Sequence, residues 1–108
     1  MSENQGLQGK TEERPKKAGK RDNLVFVGKK PTMSYVMAVI TQFSDGMKEV
    51  HVKARGRSIN RAVDVAEVVK NRFMQDLTKE VDIGTDEIID ENSNKLNIST
   101  IDILLRKP

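Results

Sequence analysis

The residues of this sequence that are best suited to do chemistry are basic, and they form two short clusters. The first cluster is the pair Lys29 and Lys30, and the second is the alternating set Lys53, Arg55 and Arg57. Residues two apart in a strand share a face, so we expect Lys53 and Arg55 to project together. Clustered Lys and Arg side chains are typical of a site for phosphate groups.

Both clusters are expected where strands end. Residues 24–27 form a continuous apolar run that ends at Gly28, which predicts a short central strand. In residues 50–55 apolar and polar side chains alternate, which predicts a strand with one buried face. If the two strands are parallel, both clusters emerge at one edge, beside the N-terminus of the next helix. Free N–H groups there favour phosphate, and Arg61 would extend the site. The alternative is that the lysines are solvated and that Arg55 pairs with an acid such as Asp64.

Two amphipathic helices are predicted between and after these strands. Gly46 is expected to end the first helix, and Ser58 is expected to cap the second. The apolar stripes consist of Met33, Val36, Met37, Ile40 and Phe43 in the first helix and of Ile59, Ala62, Val63, Ala66, Val69 and Phe73 in the second. Val65 and Val68 lie off the second stripe and are a candidate partner surface.

The last third of the chain predicts a long hairpin with a turn at residues 90–94. Its apolar alternation changes phase between Ile98 and Ile101, which predicts a bulge or a strong twist. The element order is therefore strand-helix-strand-helix-strand-strand. This order predicts an α/β two-layer sandwich, with both helices on one face of a small mixed sheet and the C-terminal β-hairpin as a protruding arm.

Charge is distributed unevenly along the 108 residues, although the net charge is only +3. Residues 24–74 hold nine Lys or Arg against four Asp or Glu, whereas residues 75–108 hold four against eight. Residues 1–22 are almost without apolar side chains, which predicts a disordered basic tail before a single domain at 23–108. The excess of positive charge in residues 24–74 and of negative charge in residues 75–108 predicts one face of the domain that is suited to a polyanion.

Several function classes are disfavoured by composition. The sequence has no Cys and a single histidine, His51, so neither a metal site nor thiol chemistry is expected. It has no phosphate-binding glycine loop and no nucleophile beside a base, so we expect no cofactor and no catalysis. Membrane-spanning and signal segments are also lacking, which favours a soluble intracellular protein. Of the aromatics Phe26, Tyr35, Phe43 and Phe73, three lie on apolar faces and are predicted to be core. Base stacking and sequence specificity are therefore expected to be weak.

Several segments together resemble the Alba family of archaeal chromatin proteins, and the resemblance extends from Asn23 to the C-terminus. The pairing of Gly-Lys-Lys-Pro with Lys-Ala-Arg-Gly-Arg at this separation is the most specific part. The segments are VGKKP at 27–31, Met33, Tyr35 and Val36, VKARGR at 52–57, AVD at 62–64, NRF at 71–73, STI at 99–101 and RK at 106–107.

The resemblance implies a dimer that binds double-stranded DNA and RNA with little sequence preference and coats the chromosome. It implies a cytoplasmic, nucleoid-associated protein whose backbone contacts come from Lys29, Lys30, Lys53, Arg55 and Arg57. Lys29 matches an acetylation position. Asn23, Arg72 and Phe73 match positions that join dimers side by side. The partner chain would be an identical copy or a paralogue.

One feature departs from the family, because the arm here is acidic. It carries Asp82, Asp86, Glu87, Asp90 and Glu91, with Lys95 as its only basic residue. Phosphates repel such an arm, so we expect it to contribute less to binding than is usual, or to contact another protein instead. Two other functions stay open. One is an RNA-binding protein that acts in RNA processing or protection, and the other is a small enzyme or a protein–protein adaptor.

Overall fold

Strands and helices follow one another in the predicted order. The computed structural model describes residues 23–108, so the predicted tail at 1–22 lies outside the described residues. The elements are β1 (Leu24–Phe26), α1 (Thr32–Ser44), β2 (Glu49–Arg55), α2 (Ile59–Val68), β3 (Thr78–Ile89) and β4 (Lys95–Arg106). A 3₁₀ turn at Gly56–Ser58 precedes α2, and a π-helical turn at Val69–Phe73 continues it.

One mixed sheet holds the four strands in the order β1-β2-β4-β3. β1 and β2 are parallel, as the convergence of the two basic clusters requires, and the other pairs are antiparallel. The prediction that the first strand is central is wrong, because β1 lies at the edge. Its apolar run suggested burial on both faces, yet only Val25 and the following Val27 are buried, while Phe26 is exposed.

The core lies between one face of the sheet and both helices, which confirms the two-layer α/β sandwich. Apolar residues of β2 stand directly opposite apolar residues of β4 on this face, in the pairs Val50–Leu105, Val52–Ile103 and Ala54–Ile101. Cross-strand apolar pairs of this kind are the unit by which a sheet is stabilised. The helices close the core with Val36, Val39, Phe43, Ala62, Val65, Ala66 and Val69.

The buried side of each helix is rotated from the predicted stripe. In α1 the core residues include Val39, whereas Met33 and Met37 are about half exposed. In α2 the off-stripe Val65 is buried, while Val63 and Phe73 of the predicted stripe are exposed. Both helices carry apolar residues around more than half of their circumference. Periodicity then defines a helix without defining which arc faces the sheet.

The predicted end of α1 is confirmed, whereas the predicted cap at the start of α2 is only partly correct. Gly46 has φ +105° directly after α1, where a side chain would be strained, and this confirms it as the helix stop. Ser58 stands before α2, but its side chain makes no capping hydrogen bond. The 3₁₀ turn gives Ser58 a helical backbone, with φ −82° and ψ −6°, instead of the extended backbone that a capping side chain needs.

The hairpin has no bulge, so that one of the two predicted alternatives is wrong, and a strong twist stays a prediction. Its register runs unbroken from the pair Thr78–Arg106 to the pair Ile89–Lys95. Ile98 lies on the opposite sheet face from Ile101, and the change of apolar phase marks the point where the covered face ends. The predicted turn at residues 90–94 is confirmed. The Asp90 carboxylate accepts hydrogen bonds from the backbone N–H groups of Asn92 and Asn94, both at 2.9 Å.

Ion pairs join the root of the hairpin to the rest of the domain. Arg106 donates from Nε to Glu49 at 2.8 Å and from Nη1 to Glu80 at 3.0 Å, so it links β4 to both neighbouring strands. The hydrogen bond with Glu49 and the nearby Glu80 raise the pKa of this guanidinium. Glu67 of α2 pairs with Lys79 of β3, and the hydrogen bond from Lys79 lowers the pKa of that carboxyl. These contacts hold the root of the hairpin against β2 and α2.

Candidate nucleic-acid interface

The two basic clusters converge because β1 and β2 end side by side. Phe26 is the register partner of Lys53, and the Val27 amide donates to the Lys53 carbonyl at 2.8 Å. The chain then leaves β1 as the lysine loop, residues 28–30, next to the point where Arg55 ends β2. We call the exposed residues Lys29, Lys30, Arg55 and Arg57 the basic edge.

The lysine loop is held in place by two side chains of the helices. The Tyr35 hydroxyl oxygen accepts hydrogen bonds from the backbone N–H groups of Gly28, at 2.9 Å, and Lys30, at 3.0 Å. Arg61 Nη1 donates to the Gly28 carbonyl at 2.8 Å. The loop backbone is therefore anchored from α1 and from α2, and the Lys29 and Lys30 side chains extend into solvent.

Arg61 and Tyr35 consequently anchor the loop that carries the two lysines. Arg61 donates to the Gly28 carbonyl, and its extension of the phosphate site stays a prediction. Tyr35 was not identified as a site residue at all. The sequence carries no signal for it, since its hydroxyl bonds to backbone groups, which are the same for any residue type.

The charges of the basic edge are available to a ligand. Among residues 23–108, no acidic side chain forms an ion pair with Lys29, Lys30, Arg55 or Arg57. The alternative in which Arg55 pairs with Asp64 is not observed there. Arg57 lies in the 3₁₀ turn that leads into α2, where the Ile59 N–H bonds to the Gly56 carbonyl and no side chain caps the helix. Cations beside the positive end of a helix form a surface suited to phosphate oxygens.

Lys53 lies apart from the exposed members of its cluster. It projects from the same sheet face as Arg55, as predicted, but its side chain is half-buried. Its Nζ is 3.8 Å from Asp102 Oδ2, and the other oxygen of that carboxylate is 2.9 Å from His51 Nδ1. Asp102 therefore offsets part of the Lys53 charge.

The hairpin arm leaves the domain on the side of the basic edge. The last pair between β2 and β4 is Arg55–Thr100, and beyond it residues 84–99 continue as a two-stranded arm. The acidic residues Asp86, Glu87, Asp90 and Glu91 are thus carried away from the sheet, past the basic edge. The domain measures 46 × 28 × 23 Å as a result of this projection.

The residues Asn23, Arg72 and Phe73 lie at the other end of the domain. Phe73 lines a shallow groove with Lys107, whose Nζ donates to the Phe43 carbonyl at the end of α1. Gln42, also near the end of α1, donates to the Leu24 carbonyl beside Asn23. Any contact made by these three residues is therefore separate from the basic edge.

Replacing Tyr35 by Phe should loosen the lysine loop and leave the ring packing unchanged. The variant removes the acceptor of two backbone N–H groups, so we expect a loss of about 1 kcal/mol in the free energy of unfolding. Hydrogen exchange at the Gly28 and Lys30 amides should become faster. Exchange at the Val52 amide in the sheet should change only by the amount that the loss in the free energy of unfolding predicts. Unchanged exchange at the two loop amides would show that Tyr35 does not hold the loop.

Fold and site define a class: a two-layer α/β domain with a basic edge at the ends of two parallel strands and a long β-hairpin arm. The sequence model of the Alba family matches residues 23–87. The chain belongs to the Alba family.

Two relatives are similar to this chain in sequence, and one solved structure is similar to it in fold. The chain is 52% identical over 88 residues to the DNA/RNA-binding protein Alba of Methanocella arvoryzae, covering 81% of this chain and 92% of that protein. It is 54% identical to the DNA/RNA-binding protein Alba of Methanococcus maripaludis, covering 80% and 99% of the two chains. The solved structure of Alba from Thermoplasma volcanium superposes with a TM-score of 0.74 at 43% identity and covers 79% of this chain and all of that one.

No helix within residues 23–108 has the length and apolar character that a membrane crossing requires.

Proposed function

We propose that this protein binds double-stranded DNA without sequence preference and coats the chromosome through contacts to the phosphate backbone. The observation that carries the proposal is the basic edge, whose four exposed cations lie on the lysine loop, at the end of β2 and in the 3₁₀ turn before α2, and pair with no acid of residues 23–108. The similar proteins named DNA/RNA-binding protein Alba support it. A nucleoid-associated location in the cytoplasm follows from this function.

Backbone binding fits these residues better than base reading does. The cations lie on a short loop and a 3₁₀ turn, which can follow a line of phosphates. Reading bases requires an element that enters the major groove and offers several side chains to base edges. The loop backbone is already anchored by Tyr35 and Arg61, so little backbone freedom must be lost on binding.

The binding unit is proposed to be a dimer, of identical chains or with a paralogue. Val81 and Ile83 of β3 share the sheet face of the core residues Ile103 and Ile101 but are 59% and 76% exposed. They lie on edge strand β3, which α2 does not cover. Apolar side chains in such a position are suited to burial against a second chain, and a domain of this size gains stability from that burial.

Two charge effects modulate the proposed binding. Acetylation of Lys29 would remove one cation from the basic edge and weaken its contact with phosphate. The acidic arm passes the same edge, and its carboxylates repel a bound backbone. We therefore assign most of the affinity to the basic edge, and the arm is free to contact a basic protein such as a paralogue.

A salt series tests the proposal. Binding of the full-length protein to a short mixed-sequence DNA duplex should weaken linearly on logarithmic axes, with a slope of about −0.9 per phosphate contact, or about −3 to −4 for each chain. An RNA duplex of the same sequence is measured alongside, and sedimentation gives the number of chains bound. A steeper RNA response with tighter binding would favour the alternative role in RNA processing or protection. A flat salt response would contradict backbone binding and support an adaptor that uses apolar contacts.

A further inference from the structure

The sheet face turned away from the helices is uncovered and carries an exposed aromatic ring. Phe26 was predicted to be core, but its side chain is 67% exposed, on the open face of edge strand β1. It lines a groove on that face together with Lys53, Arg55, Gly84, Thr100 and Asp102. A large aromatic side chain left in water on a flat sheet face is a stacking surface for a planar ligand.

Cations stand beside this ring. Lys53 is the register partner of Phe26 on the neighbouring strand, and Arg55 follows two residues later on the same face. The lysine loop begins two residues after Phe26. The ring is thus continuous with the basic edge, and Arg55 belongs to both the basic edge and the open face.

The charge across the open face changes sign from one side to the other. Asp102 of β4 is neutralised in part by Lys53, while Asp82 and Asp86 line the far side of the groove on β3. A phosphate is therefore excluded from the β3 side and attracted to the β1–β2 side. Among residues 23–108, the charges of the open face favour a backbone beside the ring, and a base attached to that backbone can lie over it.

We propose that Phe26 stacks on an unpaired base and that Lys53 and Arg55 hold the adjoining phosphates, which makes the open sheet face a binding site for single-stranded RNA or DNA. Aromatic side chains beside a basic track are the usual means of binding single strands, because every base has a stacking face that a duplex conceals. This site goes beyond the proposed function, which needs only the basic edge and a duplex.

Alanine and tyrosine substitutions of Phe26 test the site. Binding of the full-length protein is measured by fluorescence anisotropy with single strands of about 15 nucleotides, one of RNA and one of DNA, and with the DNA duplex. Phe26→Ala should weaken single-strand binding roughly 5- to 150-fold and change duplex binding by less than about twofold. Phe26→Tyr should keep single-strand binding. Loss with either single strand supports the site and shows which sugar it accepts.

Met37→Ala is the matched control, since Met37 is also an apolar side chain that is about half exposed but lies on α1, on the helix side of the sheet. It should leave single-strand binding unchanged. An unchanged single-strand affinity for Phe26→Ala, or an equal loss with the duplex, would overturn the proposal. So would a change in the number of associated chains, because the ring would then belong to a protein contact.

A Lys29→Ala, Lys30→Ala variant separates the two proposals. If it leaves duplex binding intact while Phe26→Ala still weakens single-strand binding, duplex binding at the basic edge fails and the stacking site stands.

Discussion

The variant Lys29→Ala, Lys30→Ala, Arg55→Ala is expected to bind a DNA duplex on the order of 100- to 1,000-fold more weakly than the wild type at about 0.1 M salt. Each substitution removes an exposed cation that pairs with no acid of residues 23–108, so the phosphate contact is lost without freeing a carboxylate. The logarithmic salt slope should become shallower by about 3 for each chain, because each phosphate contact contributes about 0.9. Equilibrium titrations at several salt concentrations measure both quantities.

A control with the same charge change shows whether position or total charge matters. Lys48→Ala, Lys70→Ala, Lys107→Ala removes three cations that pair with no acid of residues 23–108 from the end of the domain that lies away from the basic edge. We expect a loss smaller than about tenfold from long-range electrostatics alone, because those charges lie beyond the screening distance of the bound backbone. An equal loss in the two triple variants would mean that net charge, and not the basic edge, determines binding.

Leu105→Ala should be the most destabilising single substitution considered for this fold. Leu105 is fully buried in β4, where it faces Val50 across the strand pair and the helices above. Truncation leaves a cavity in a two-sided core, and we expect a loss of about 2–5 kcal/mol in the free energy of unfolding. That loss is a large share of the total stability of a small domain, about 5–15 kcal/mol. Urea unfolding at one fixed protein concentration measures it.

The neighbouring Leu104 provides the comparison. It has the same side chain but points to the open face, in register with His51 and Glu80, and it is only partly buried. Leu104→Ala should cost less than half as much as Leu105→Ala. Equal losses would contradict the assignment of the two faces of β4.

The fold class could be predicted because each element has a pattern with one dominant period. Alternation in residues 50–55 identifies a strand, and the following i, i+3, i+4 spacing identifies a helix. Gly46 marks the end of α1 through a backbone conformation that other residues adopt with strain. These signals are local, so the order strand-helix-strand-helix-strand-strand needs no knowledge of contacts between distant residues.

The wrong predictions about burial have a common physical origin. Whether a side chain is buried depends on which helix or strand packs against it. Phe26 and Val25 are adjacent apolar residues in the same run, yet only Val25 meets a helix. Val65 and Val63 are both suited to a core, and the packing of α2 on the sheet selected Val65. At Ile98 the change of phase suggested a bulge, whereas the helix layer simply ends there.

Two basic clusters at the ends of two strands can be identified from residue order alone, because strand periodicity and the Gly-Lys-Lys-Pro and Lys-Ala-Arg-Gly-Arg segments are properties of neighbouring residues. By contrast, the anchoring of the lysine loop by Tyr35 and Arg61, the pairing of Asp102 with Lys53 and the exposure of Phe26 all depend on how the elements pack. Those contacts join residues up to about fifty positions apart and include backbone atoms, which have no residue identity to read. Residue types therefore specify the charge of the site, and packing specifies which of those charges and rings a ligand can reach.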